Sequence, residues 1–350
     1  MNTIIKRDGY TVELSAPEIY VDNKSRGRSG HMSHALAEFE PNKIIDFNSN
    51  CSAKKHGGHA TYGFIEYRIS EDGGKTYSEV FELPYAKQAF FDGVEMISVE
   101  KAVACNDGSI VAICLRNDPN SVCQPWDTPT FIKSVDGGKT WSEPKELCSF
   151  KGRVYDACYY KGIIYVLEFC NDGTGLFIGE KPEHVYRIFT SNDNGESFSE
   201  LCVIPMDTLS RGYGSMVFDD EGFLHVYAYN YADEVNMDHA ISRDLGKTWE
   251  ILSPCYLAYG IRNPQVNVID GIFVCHGRNK DCSGFVLYTS LDGSLWDNGE
   301  IIGTKQSLCY YSNNIVLKDD DGSNHMLIQY SESYENACVD VMHRWLKIKK

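Results

Sequence analysis

One eight-residue pattern constrains this chain more than anything else in it: serine, any residue, aspartate, any residue, glycine, any residue, threonine or serine, then an aromatic. It reads SEDGGKTY from Ser70 to Tyr77, SVDGGKTW from Ser134 to Trp141, SNDNGESF from Ser191 to Phe198 and SRDLGKTW from Ser242 to Trp249. A shortened copy, SLDGSLW, runs from Ser290 to Trp296, and successive copies start 64, 57, 51 and 48 residues apart. Self-similarity at about this period is the mark of an array of equivalent supersecondary units.

Each copy follows a strand-like run rich in Tyr, Ile, Phe and Val and precedes a second short extended run. The residue types suit a hairpin turn. Aspartate can bond to turn amides, glycine accepts a positive φ, and the aromatic can pack between neighbouring sheets. Asp72, Asp136, Asp193, Asp244 and Asp292 are therefore read as structural punctuation and not as catalytic carboxylates. Between copies lies a second hairpin pattern, as in KAVACNDGSIVAICL, SMVFDDEGFLHVYAY and PQVNVIDGIFVCHGR. Two strands before each motif and two around it make a four-stranded blade, and such blades arranged radially close into a propeller. Five motif copies plus the final run Tyr311 to Trp345 predict an all-β, six-bladed β-propeller of four-stranded antiparallel blades, one domain over residues 1–350. The stretch Ile4 to Leu14 can supply the strand that closes the ring.

This combination resembles the sialidase (neuraminidase) superfamily, whose members are six-bladed propellers carrying Asp-box (BNR) repeats. The likeness covers nearly the whole chain. It speaks to fold more than to function, because one fold hosts many chemistries.

Composition narrows the partners. With 33 Lys and Arg against 49 Asp and Glu the formal charge is −16, which disfavours nucleic acid and anionic membrane surfaces. No apolar run approaches the length of a bilayer span, and the first thirty residues lack a secretory pattern, so a soluble cytoplasmic protein is expected. The 13 cysteines form no CxxC pair, and many sit in apolar strand-like runs, as reduced buried thiols would.

In a propeller the inner strands converge on the axis, so polar residues near their starts gather from distant sequence into one funnel. Blade one offers His31 and His34, with His56 and His59 in its second hairpin; blade two offers Glu95 and Glu100. Blade three offers Arg153, Tyr155 and Asp156, blade four Arg211 and Tyr213, blade five Arg262 and Asn263, and blade six Tyr310 and Tyr311. Arginine begins the inner strand in three successive blades, and Arg278 follows in blade five. Forked guanidinium groups suit a carboxylate held at two points, so an anionic sugar is inferred. Taken singly, each of these arginines is as well explained by an inter-blade ion pair.

Within the resemblance, Tyr311 in CYYSNNIVL matches the tyrosine that opens the last blade of sialidases in a "YS" motif and acts as nucleophile beside a proton-accepting glutamate. A tyrosine stacked on the axis or on a sugar ring, without chemistry, is the alternative. Arg278, 33 residues before Tyr311, resembles one of the family's three carboxylate-binding arginines. Elsewhere the pattern departs. The family's blade-one "RIP" arginine is replaced by HMSHAL with His31 and His34, its acid/base aspartate by the loop carrying His56 and His59, and its blade-four glutamate and arginine by Arg211, Tyr213 and Asn230. Glu95, Glu100 and Glu168 are the candidate bases for Tyr311, with Glu100 the least arbitrary.

The sequence thus predicts an exo-acting, sialidase-like glycoside hydrolase for a terminal acidic sugar of a small oligosaccharide. Arg153, Arg211, Arg262 and Arg278 would bind the anionic group, aided by His31, Glu95, Asp156, Tyr213 and Tyr310. Tyr311, Glu100, His34 and His59 would carry the chemistry. Two alternatives stand beside it: a uronate-directed lyase built on His and Tyr, and a non-catalytic glycan-binding propeller. No cofactor or metal is expected, since the paired histidines lack Asp or Cys companions.

Overall fold

The computed structural model describes residues 2–55, 62–120, 126–305, 310–319 and 321–350. Where alternating apolar residues were read as hairpins, six antiparallel sheets form. Their inner strands are Leu36–Glu40, Met96–Ala104, Gly152–Tyr160, Arg211–Phe218, Arg262–Ile269 and Ser312–Lys318, each packing beside the next and the last beside the first. The ring is a six-bladed propeller. Its closure is made by the chain's start: Tyr10–Leu14 pairs with Cys338–Lys349 in the last blade, with Thr11 opposite Lys349.

The repeated octapeptide does what its residue types dictate. In the first copy the Ser70 hydroxyl accepts the Gly74 N–H at 2.7 Å and donates to Asp72 at 2.9 Å, while Asp72 accepts the Thr76 N–H at 2.8 Å and its hydroxyl at 2.6 Å. Asp136, Asp193 and Asp244 make the equivalent bonds, and Asp292 accepts the Ser294 and Leu295 amides. The closing aromatic reaches the preceding blade: Trp141 stands edge-on to Phe47 and Tyr67, and Phe198 edge-on to Phe131. Apolar side chains gather into six clusters among the described residues, one at each junction between blades. The fold is thus held by sheet-to-sheet burial, with each turn locked by its own side chains.

Strand direction fixes which face matters. The third strand of each blade ends in the repeated turn, so all five turns lie on the face opposite the N-terminal ends of the inner strands. The described cysteines are free thiols. No helix of the described residues is long and apolar enough to cross a membrane.

Candidate active site

Four of the six inner strands carry a β-bulge at the level of the cavity beside Tyr311. Against the second strand, Lys101 pairs with Ile113 and Val99 with Cys114, leaving Glu100 as the extra residue. The same happens at Tyr155, at Tyr213, and at Asn263–Pro264, which oppose Gly277 alone. A bulge breaks the two-residue alternation and re-aims a side chain. Glu100, Tyr155, Tyr213 and Asn263 all line the cavity, together with Met32, Ser33, His34, Lys101, Arg153, Tyr311 and Ser312. Tyr213 and Asn263 hold positive φ values of 36° and 52°, conformations that cost a non-glycine residue energy and persist where the surroundings enforce them. Gly277 is required here, because a Cβ would come within 2.7 Å of the Arg262 carbonyl oxygen.

Tyr311 is the hub. Its hydroxyl lies 3.2 Å from that of Tyr213, and the His31 ring stands edge-on to it at 4.5 Å between centroids. The guanidinium groups of Arg153 and Arg278 lie 5.6 and 5.9 Å from the centre of the Tyr311 ring. Arg153 is itself paired with Glu100 at 2.8 Å, and both lie in the bore. Burial, and then the neighbouring phenols of Tyr311 and Tyr155, push the Tyr213 phenol well above its ordinary value, outweighing the two arginines. Tyr213 therefore keeps its proton near neutral pH and shares a hydrogen bond with Tyr311.

His34 is buried and its pKa is pushed down to about 4 by that burial. Its Nε2 lies 3.2 Å from the His31 carbonyl oxygen, which can only accept, so Nε2 carries the single proton and Nδ1 keeps its lone pair. That Nδ1, the Ser33 hydroxyl, Glu100 Oε2 and both polar atoms of the Asn263 amide are buried without a hydrogen-bond partner among the described residues. Such a set of orphaned polar atoms around one cavity is what a polar ligand or ordered water would satisfy.

The floor is a single ammonium group. Lys101 Nζ donates to Gln265 Oε1 and Asn313 Oδ1, both at 2.6 Å, and pairs with Asp156 at 2.9 Å, which uses its three protons. Above it the cavity is about 20 Å³; below it the opposite mouth of the bore opens into a hollow of about 510 Å³. Room of about 20 Å³ suits one water, whereas ligand sites usually run to about 300–1,000 Å³. His31, Met32 and His34, in the segment before Leu36–Glu40, are buried; Met32 and His34 line the cavity with Tyr311 and His31 packs on its ring.

The residues singled out from sequence separate into two groups. Arg153, Tyr155, Glu100, Tyr213, Asn263, Tyr311, His31, His34 and Arg278 meet in or around this cavity. Asp156 sits at its floor, where it also accepts bonds from the Ser215 hydroxyl and the Met216 amide. The structure does not bring Arg211, Arg262, Glu95, Glu168 or Tyr310 there. Arg211 is held by Asp238 at 2.5 Å and Asp207 at 3.4 Å, and Arg262 by Glu234 at 2.5 Å in a separate hollow with Tyr231 and Lys280. Glu95 clasps Arg116, and Tyr310 is buried against Phe285 and Tyr330 with its hydroxyl on the Lys305 carbonyl. Glu168, fully buried in blade three against Cys148, has its carboxyl pushed up to about 7 by burial. His56 and His59 lie outside the described residues. Sequence reasoning missed Lys101, Gln265, Asn313 and Ser312.

Comparison with solved structures places this geometry among propellers. The chain matches a protein of unknown function from Dyadobacter fermentans at 13% identity and a TM-score of 0.69, covering 97% of this chain and 99% of that one. It matches a mutant of the NanB sialidase of Streptococcus pneumoniae at 11% identity and a TM-score of 0.66, covering 94% of this chain and 70% of that one. It matches the Trypanosoma rangeli sialidase at 13% identity and a TM-score of 0.62, covering 98% of this chain and 59% of that one. No family model and no curated protein matches the sequence. At these identities the likeness establishes a sialidase-like propeller fold.

Proposed function

We propose that the chain is an exo-acting glycoside hydrolase that removes a terminal acidic sugar from an oligosaccharide, with Tyr311 as nucleophile. The observation that carries this reading is a phenol in the bore flanked by two guanidinium groups, Arg153 and Arg278. A second phenol, Tyr213, lies within hydrogen-bond distance of the same oxygen, and an activated phenol is a nucleophile. The guanidinium groups also suit the sugar's carboxylate. Glu100, on the same wall, takes the phenol proton as the bond to the anomeric carbon forms and the bond to the aglycone oxygen breaks; the aglycone leaves as an alcohol with a proton from water, and a water then replaces Tyr311 at the anomeric carbon and returns the phenol its proton. Because the cavity has room for about one water, admitting a sugar requires part of its lining to move.

The test is a panel of fluorogenic aryl glycosides of acidic and neutral sugars. Turnover is expected for an acidic sugar, with Tyr311→Phe lowering kcat by on the order of 10³ or more. Turnover confined to neutral sugars, or an unimpaired Tyr311→Phe, overturns the reading.

One observation favours a second reading. A neutral His34 with a free Nδ1 is a base at neutral pH, as a lyase that removes the proton beside a uronate carboxylate requires. An oligouronide substrate giving an unsaturated, ultraviolet-absorbing product would select it.

A further inference from the structure

A chain of hydrogen bonds with one possible direction ends at the cavity wall. It starts at a backbone amide, whose role as donor is fixed: the Val268 N–H donates to Asn267 Oδ1 at 2.8 Å. That sets the orientation of the Asn267 side chain, whose Nδ2 donates to Asn314 Oδ1 at 2.8 Å. Asn314 is set in turn, so its Nδ2 faces His276 Nε2 at 2.8 Å as donor, and Nε2 must accept. His276 is fully buried, and its pKa is pushed down to about 3 by burial first and by the nearby Lys101 second, so the ring is neutral and carries one proton. With Nε2 accepting, that proton is on Nδ1, which lies 2.9 Å from the Ser312 hydroxyl oxygen.

Ser312 follows Tyr311 directly and lines the same cavity. Its oxygen is occupied as an acceptor by His276, and its own proton has no other partner among the described residues. We infer that Ser312 is a specificity-determining residue, a hydroxyl locked by Asn267, Asn314 and His276 into donating its proton to the carboxylate of the bound sugar beside Tyr311. That the acceptor is a sugar carboxylate rests on the proposed function; the direction of the chain does not. The three residues behind Ser312 are positioning residues, since they act only through it.

Two measurements on the full chain test this separately. In protein labelled with ¹⁵N-histidine, long-range proton–nitrogen spectra should show His276 protonated on Nδ1 alone from about pH 5 to 8, with that preference relaxed in Asn314→Ala. An Nε2–H ring or an imidazolium overturns the inference. The binding arm uses N-acetylneuraminic acid and calorimetry. Ser312→Ala should weaken its binding about tenfold or more, the usual worth of a hydrogen bond to a charged group, and Ser312→Thr, which keeps the hydroxyl, should restore most of it. Equal affinity of wild type and Ser312→Ala overturns the inference. Failure of the wild type to bind the acid, with the Nδ1–H ring present, refutes the acidic-sugar reading and upholds the donor assignment.

Discussion

Lys101 and Asp156, on the inner strands of neighbouring blades, form an ion pair of 2.9 Å at the middle of the bore, with both side chains more than nine-tenths buried. The same ammonium reaches Gln265 and Asn313 on the far side of the ring, so one charge ties four blades together and separates the cavity from the hollow beneath. Removing one partner of a buried pair leaves the other's charge uncompensated, which costs about 3–5 kcal/mol. Lys101→Met is therefore expected to lower the unfolding free energy by about that much. Adding Asp156→Asn should recover part of the loss. Urea denaturation of the two variants and the double variant reads both effects.

Acid should loosen the propeller above the pH at which ordinary carboxylates titrate. Burial pushes His34 down to about 4 and His239 and His276 to about 3. An unfolded histidine titrates near 6.5, so below that pH the unfolded chain binds protons that the folded chain refuses, and stability falls as pH drops from about 6.5 towards 4. Glu168 opposes this. Its carboxyl is raised to about 7, so from about 7 down to its unfolded value near 4.3 the folded chain binds the extra proton and gains stability. Three histidines outweigh one glutamate. Urea midpoints measured across this range should fall with pH. His34→Gln should reduce the slope by up to about 1.4 kcal/mol per pH unit, and an unchanged slope contradicts the assignment.

Met32 tests whether the cavity lining limits access. It is 1% exposed, lines the cavity with Tyr311 and packs on the apolar cluster between the second and third blades. Met32→Ala is expected to cost about 2–5 kcal/mol of stability, yet to lower KM for an acidic aryl glycoside by opening the space beside the phenol. A variant that is destabilised with KM unchanged would mean that substrate reaches Tyr311 by another route.

The repeats were legible because their chemistry is local. Serine, aspartate, glycine and threonine within eight residues satisfy one another's bonds, so the turn can be read without knowing what surrounds it. Much of the site was legible from residues near the starts of the inner strands, as Arg153, Tyr213 and Tyr311 are. A bulge hid Lys101: one extra residue at Glu100 lets both Glu100 and Lys101 face the cavity, which a two-residue period forbids. Arg211 and Arg262 were expected in the funnel because their carboxylate partners are Asp238, 27 residues later, and Glu234, 28 residues earlier. Ser312 could not be read as a donor at all, since its orientation depends on His276, 36 residues away on another strand.

The most direct test of the proposed chemistry is to trap the nucleophile. Incubation with 2,3-difluorosialic acid, followed by intact mass measurement and peptide mapping, should find one added glycosyl group on Tyr311 in the wild type and none in Tyr311→Phe. A label on another residue, or turnover of an acidic glycoside with no label on Tyr311, would contradict the account.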